Sequence, residues 1–325
     1  MLQPVTIDIL RTNLIEHPAV QAWNKLNPEP VEPEDVETLE RKIQSALYRL
    51  AGVGPQGSAI IDKRCLTATA LTEYTIYQEI LPTLPMPALH CYGSVEDRNP
   101  QFCWLFLEDA GKEPYSPELA EHRALAARWL GLLHTSAERL AASAALPDRG
   151  PHHYLIQLRL ARESIWHNLA NPALRADDLA ALNKIVSRCH FLESNWGDVE
   201  KLCVGLPRTF VHGELEEKNI RVRKIGAGIA LLPFDWETAG WGVPAADLVK
   251  CPDTALYWST VQEHWPNLRR EDIERMVDIG IMFQSLAALH WEALTLEYPW
   301  VELPMSKLRH LNNRLADSIQ ALGVS

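Results

Sequence analysis

No CxxC pair occurs anywhere in the chain, and its six cysteines (Cys65, Cys91, Cys103, Cys189, Cys203 and Cys251) are scattered. That spacing excludes a clustered zinc site and fits reduced, structural thiols. The adjacent pair His152 and His153 has no second ligand cluster to accompany it and reads as a polar loop. No apolar run approaches the roughly 20 residues of a membrane-spanning helix, so no membrane partner is expected. The opening "MLQPVTIDILRTNLIEH" carries Asp8 and Arg11 within its apolar pattern, unlike a secretory signal. A cytoplasmic location is therefore expected. An excess of positive charge is also missing: 31 Lys and Arg face 42 Asp and Glu, for a net charge of −11. A nucleic-acid partner needs a basic face to meet phosphate, so none is expected. Gly226 and Gly228 stand in "IGAG", but no GxGxxG opens a helix there, so these are hairpin glycines rather than a phosphate loop.

What the chain does have is length and a change of character. Its 325 residues suffice for two lobes, each with its own core. Residues 3–26 show helical spacing. The connector "NPEPVEPED" follows, in which Pro28, Pro30 and Pro33 rule out a helix. "SALYRLAG" and "SAIIDKRC" read as strands across a glycine-rich turn, "ATALTEYTIYQEILPTL" as a helix, and "ALHCYGSV" and "FCWLFLED" as further strands. From Ser116 and Pro117 onward long amphipathic helices dominate. Into them is set one hairpin, "NIRVRK" turning through "IGAG" to "IALLPFD". The pattern predicts a small β-rich part, a junction near 106–111 and a large helical part.

The hairpin is bracketed by polar groups. His212, Glu214 and Asn219 stand before it and Asp235 after it. A hairpin brings its ends together, so Glu214, Asn219 and Asp235 are expected to converge. A carboxylate and an amide oxygen facing one cavity suit Mg²⁺. A second carboxylate nearby can orient or deprotonate a hydroxyl. Metal, base and cleft together point to phosphoryl transfer.

"HGELEEKN" followed by "FDWETAGWGVPAADL" resembles the aminoglycoside phosphotransferase and choline kinase family, small-molecule kinases of protein-kinase-like fold. Further segments extend the resemblance over roughly residues 44–250: "ALYRLAG", "LTEYTIYQEILPTLPMPAL", "CWLFLEDAG" and "LGLLHTSA". The fold so implied is α+β and bilobal. It has a β-rich nucleotide N-lobe over 1–108, with an extra N-terminal helical segment. A mostly helical C-lobe over 109–325 carries the inserted catalytic hairpin, the catalytic loop and the acceptor site.

The resemblance also implies roles. Asn219 and Asp235 would hold Mg²⁺ on the phosphates of ATP or GTP. Lys63, held by Glu73, would contact the α- and β-phosphates, and Phe106 to Glu108 would present backbone groups to the base. His212 would brace the catalytic loop, with Asp247 behind it. The family has Asp where this chain has Glu214, which keeps the charge and adds a methylene. An active kinase with a shifted acceptor, a slow kinase and a catalytically silent nucleotide- or ligand-binding protein all stay open on that residue. The partner is expected to be a small hydroxyl acceptor: an aminoglycoside-like antibiotic, an amino alcohol, a sugar or a nucleoside. A cationic acceptor would suit the acidic residues Asp272, Glu274, Asp278, Glu292 and Glu297, or the aromatic-acidic stretch "HWEALTLEYPW". A solvated helix face accounts for such runs equally well.

Overall fold

A computed structural model describes residues 8–27, 29–42, 44–136, 146–226 and 228–325. In chain order its elements begin β1 (Asp8–Leu10), α1 (Pro18–Asn24), β2 (Val36–Arg41), β3 (Ala46–Leu50), β4 (Ile60–Leu66), α2 (Thr67–Thr75), β5 (Cys91–Glu96) and β6 (Phe102–Glu108). They continue α3 (Ala120–Ser136), β7 (Asp148–Arg149), α4 (Pro151–Asn168), α5 (Ala176–Ser194), α6 (Trp196–Leu202), β8 (Thr209–Val211), β9 (Ile220–Ile225) and β10 (Gly228–Pro233). Last come β11 (Gly240–Gly242), α7 (Ala245–Leu248), α8 (Thr254–Val261), α9 (Arg270–Leu294) and α10 (Glu302–Leu322). These sort into two compact units, Met1–Glu118 with Leu215–Thr238, and Leu119–Glu214 with Ala239–Ser325. No described helix is long and apolar enough to cross a membrane.

The first unit is built on a six-stranded antiparallel sheet of order β1-β2-β3-β4-β6-β5. Strand alternation decides its two faces. On one, Ile60, Trp104 and Phe106 pack against Val20 and Trp23 of α1. On the other, Cys65 and Cys103 pack against Ala70 of α2. Of the helix expected over 3–26, the described residues form Pro18–Asn24; residues 3–7 lie outside the described residues. Pro18 has no N–H to give and sets the first turn, and the His17 ring accepts from the Ala19 N–H at 3.2 Å. Upstream, Asp8–Leu10 pairs with Val36–Thr38 as a strand. All three residues are exposed, so it is the ladder with β2 and not a buried face that makes this segment a strand.

Asp62 lies on the face covered by α1, fully buried. Neither of its oxygens has a hydrogen-bond partner among the described residues. Burial pushes its carboxyl well above the ordinary value of 3.8. Replacing it by Val, which suits a strand, should stabilise the fold by about 1–3 kcal/mol, the cost of a buried unsatisfied polar group. The folded state holds this proton after the unfolded chain has lost it. Wild-type stability from this group therefore falls as pH rises from about 4 toward the raised folded value. Urea titrations of both proteins should show the gap widening over that range; a constant gap would remove Asp62 as its source.

The hairpin β9–β10 pairs from Ile220↔Pro233 to Ile225↔Gly228, and Gly226 takes the left-handed conformation (φ 60) that its turn requires. Expected within the helical part, it belongs by its contacts to the sheet unit, as do residues 109–118. The bonds explain why. The Val222 N–H donates to Glu113 O at 3.0 Å. Arg223 donates to Asp109 O at 2.7 Å and to the Glu108 carboxylate.

The second unit is helical around α9. Ile273, Met276, Ile279, Phe283 and Leu286, three to four residues apart, give α9 a buried stripe. Its small sheet, of order β7-β11-β8, carries β8 straight into His212. A Cβ on Gly242 would stand 2.4 Å from Arg149 O, so β11 approaches β7 only with glycine there. The helix that opens after Ser116 is described to Ser136; residues 137–145, over which it was also expected, lie outside the described residues.

Candidate functional site

In β4, the residues that alternate with Asp62 face away from α1, which puts Ile61 and Lys63 on the wall of a cavity of about 590 Å³. α2 follows β4 without a loop and returns Glu73 to the same place, fully buried. Lys63 Nζ lies 2.5 Å from Glu73 Oε1 and 2.5 Å from Asp235 Oδ1. Glu237 Oε2 is 3.9 Å from the same nitrogen. Burial opposes the Lys63 charge, but Glu73, Asp235 and Glu237 outweigh it and hold the ammonium well above its usual range. Burial pushes the Glu73 carboxyl up to about 7, against the pull of Lys63.

Hairpin register places the next groups. Because Ile220 pairs with Pro233, the ladder extends by one bond, Phe234 N–H to Asn219 O at 3.0 Å. That bond brings Asn219 and Asp235 to the same cavity. Asp235 has φ 67, a left-handed backbone that costs a non-glycine residue roughly 1–3 kcal/mol and collects at functional sites. The carboxylate oxygens of Glu73, Asp235 and Glu237 fall within 4.8 Å of one another, and Glu73 Oε2 has no hydrogen-bond partner among the described residues. Carboxylate oxygens gathered in this way are hard donors of the kind that suit Mg²⁺. Glu237 was not singled out from the sequence; its signal is the i, i+2 spacing in "DWE".

Of the segment expected to face the base, Leu107 and Glu108 line the cavity. The Phe106 side chain is fully buried in the core on the α1 face, its ring centroid 5.3 Å from that of Trp23. It does not line the cavity. The Glu108 N–H donates to His90 O at 2.8 Å, and the Glu108 carboxylate accepts from the His90 N–H at 3.0 Å and from Arg223. β6 is an interior strand, so its peptide groups are largely committed to the ladders on either side. Asp109 to Lys112 line the cavity as well. Asp109 accepts from Arg49 Nε at 2.8 Å and from the Gly111 N–H at 2.9 Å, and Arg49 also holds Glu37 at 2.7 Å. Neither Arg49 nor Asp109 stood out in the sequence.

His212 and Glu214 belong to the helical unit. His212 is fully buried and Glu214 half-buried. Asp247 anchors this loop by its backbone: the His212 N–H donates to Oδ2 at 2.8 Å and the Gly213 N–H to Oδ1 at 2.7 Å. His134 Nε2 stands 3.1 Å from Asp247 Oδ2, and His134 Nδ1 2.9 Å from the Tyr257 hydroxyl. An ionised Asp247 makes Nε2 the donor and leaves Nδ1 to accept from Tyr257. Burial alone would raise the Asp247 pKa, but the bonds from His134 and the His212 peptide hold it below the usual carboxylate range. His134, which sequence alone reads as a packing histidine, is thus a link in a buried polar chain. Gly213 takes φ 85 and aims the following Glu214, whose N–H reaches His212 Nδ1 at 3.4 Å.

The C-terminal acidic residues are partly spoken for. Asp272 caps α9 and pairs with Arg269 and Arg275; Glu274 lies 3.8 Å from Arg270, and Glu292 holds Lys307 at 2.6 Å. Trp291 and Trp300 are more than half exposed, and Trp300 stacks on Tyr298 with ring centroids 4.9 Å apart.

A model of the phosphotransferase enzyme family (APH) matches residues 66–276. Curated protein sequences give no match. Among solved structures, a choline kinase from Cryptosporidium parvum Iowa II superposes with a TM-score of 0.59 at 12% identity, covering 94% of each chain. A mutant aminoglycoside 2'-phosphotransferase-IIIa in complex with GDP gives a TM-score of 0.62 at 12% identity, covering 93% of this chain and 98% of that one. An ethanolamine kinase from Plasmodium vivax gives 0.57 at 14% identity, covering 91% and 85%. At these identities the likeness is one of fold, that of protein-kinase-like small-molecule kinases.

Proposed function

Since the chain belongs to the phosphotransferase enzyme family, we propose that it is a Mg²⁺-dependent kinase that moves the γ-phosphate of ATP or GTP to a hydroxyl of a small molecule. The observation that carries this reading is the Lys63 ammonium at 2.5 Å from both Glu73 and Asp235 on one cavity wall. Lys63 contacts the nucleotide phosphates and Glu73 holds it in place. Asn219 and Asp235, with Glu237 beside them, supply oxygens for Mg²⁺. When bound, that ion neutralises charge on the transferring phosphoryl group. The sheet unit is the nucleotide-binding part and the helical unit holds the acceptor. Asp109 to Gly111, beyond the committed peptides of β6, read the base edge.

Glu214 receives the acceptor proton. The acceptor oxygen forms its bond to the γ-phosphorus as the bond to the β–γ bridging oxygen breaks. Asp247 fixes the loop behind it through His212 and Gly213, so Glu214 is positioned from its own backbone. Glu214→Gln should lower turnover by about 10²-fold, in the range of a general base, and leave Mg-nucleotide binding unchanged. Glu214→Asp should also be slower, by roughly 10-fold, because the loop is placed for the longer arm. Nucleotide consumption over a panel of aminoglycosides, amino alcohols, sugars and nucleosides reads both; full activity of Glu214→Gln would take Glu214 out of the chemistry.

One observation favours a second reading, a silent nucleotide- or ligand-binding protein: the family's Asp is here Glu214. Such a protein is stabilised by its ligand yet consumes no nucleotide with any acceptor in the panel.

A further inference from the structure

We propose that the guanidinium of Arg221 is the surface on which the nucleobase stacks, so that this chain grips its nucleotide with a cation under the ring. This rests on the nucleotide reading of the cavity.

The cavity is lined by two kinds of surface. Leu47 of β3 and Ile61 of β4 offer aliphatic carbon; Arg221 of β9 and Phe234 offer a guanidinium and a ring. The Arg221 guanidinium carbon lies over the Phe234 ring, 5.2 Å from its centroid. Its Nη1 donates to Lys218 O at 3.1 Å and Ile220 O at 2.8 Å. Main-chain oxygens and a ring therefore fix it, whereas the other guanidinium of the cavity, Arg49, is bonded to Asp109 and Glu37. Among the described residues no carboxylate comes within ion-pair distance of Arg221.

A planar cation held by one edge, with the Phe234 ring on one side and no anion paired with it, leaves its other side for a ligand. Guanidinium planes stack on aromatic surfaces, nucleobases included. An anionic ligand group at Arg221 is the competing use, but the metal-binding carboxylates and Lys63 already define where phosphate lies in this cavity. A flat heterocycle seated on Arg221 has the aliphatic carbon of Leu47 and Ile61 and the residues Asp109 to Gly111 in the same cavity.

The test compares two ligands in the presence of Mg²⁺, by calorimetry: ATP or GTP, and inorganic tripolyphosphate, which lacks a base. For Arg221→Ala, nucleoside triphosphate affinity should fall by about 10-fold, as expected for loss of one partly desolvated cation–π contact. Tripolyphosphate affinity should not change, which also shows that the variant is folded. Arg221→Lys, a charge without a plane, should recover only part of the loss. Equal loss for both ligands would make Arg221 a phosphate contact and overturn the proposal, as would unchanged ATP and GTP binding. Failure of the wild type to bind either nucleotide while it binds another ligand in the cavity would overturn the kinase reading itself, and this one with it.

Discussion

Asp235→Ala should abolish phosphoryl transfer, with turnover down by about 10³-fold or more, because a metal ligand supplies several kcal/mol of charge stabilisation. The same substitution should erase the Mg²⁺-dependent part of the stabilisation by nucleotide, which is roughly 2.7 kcal/mol at 100 times the dissociation constant. Apo stability behaves differently. Lys63 keeps Glu73 at 2.5 Å, so the ammonium does not lose its last anion. Asp235 also sits at φ 67, and Asp235→Gly relieves that strain while removing the carboxylate. The glycine variant is therefore expected to melt at or above the wild-type temperature while being equally inactive. Paired melting curves with and without Mg-nucleotide, run beside turnover assays, separate these effects. A variant of near wild-type rate would sink the assignment.

Asp247→Ala should be the most destabilising single change in the helical unit. It strips the acceptor from the His212 and Gly213 peptides and from His134, all within 3.1 Å of one carboxylate. Breaking a buried charged network at one member costs about 3–5 kcal/mol. Asp247→Asn should cost less, because one amide oxygen still accepts from the loop. The folded carboxyl is held below its ordinary value of 3.8. Its contribution is thus present above the unfolded pKa and is lost as pH falls through the lower, folded one. Chemical denaturation from pH 7 down to about pH 2 should show wild type and Asp247→Asn drawing together only at the acid end. Parallel curves throughout would mean that Asp247 is not ionised in the fold.

The chain discloses its site where chemistry and local geometry coincide. Lys63 and Glu73 are legible because β4 runs straight into α2, and Asn219 and Asp235 because a hairpin must bring its ends together. Other features depend on partners remote in sequence. Asp8–Leu10 is a strand only because Val36 to Thr38 lie beside it. Phe106 points into the core rather than the cavity because α1 covers that face of the sheet. Arg221 and Arg49 read as strand-surface arginines until the cavity closes around them. His134 becomes more than a packing residue only when Asp247 and Tyr257, 113 and 123 residues away, arrive at its two nitrogens.

The sheet unit is discontinuous, with 119–214 intervening between its two segments. On the ribosome, Lys63 is made long before the Asp235 it must meet 172 residues later. At about 5–20 residues per second, that interval lasts roughly 9–34 s. Throughout it the nascent chain can form β4 and α2 and pair Lys63 with Glu73, but it has neither the Asn219 nor the Asp235 side of the candidate site. A ligand that needs both sides, as the proposed nucleotide does, cannot act as a template for the early sheet; it can select only chains whose hairpin has already docked.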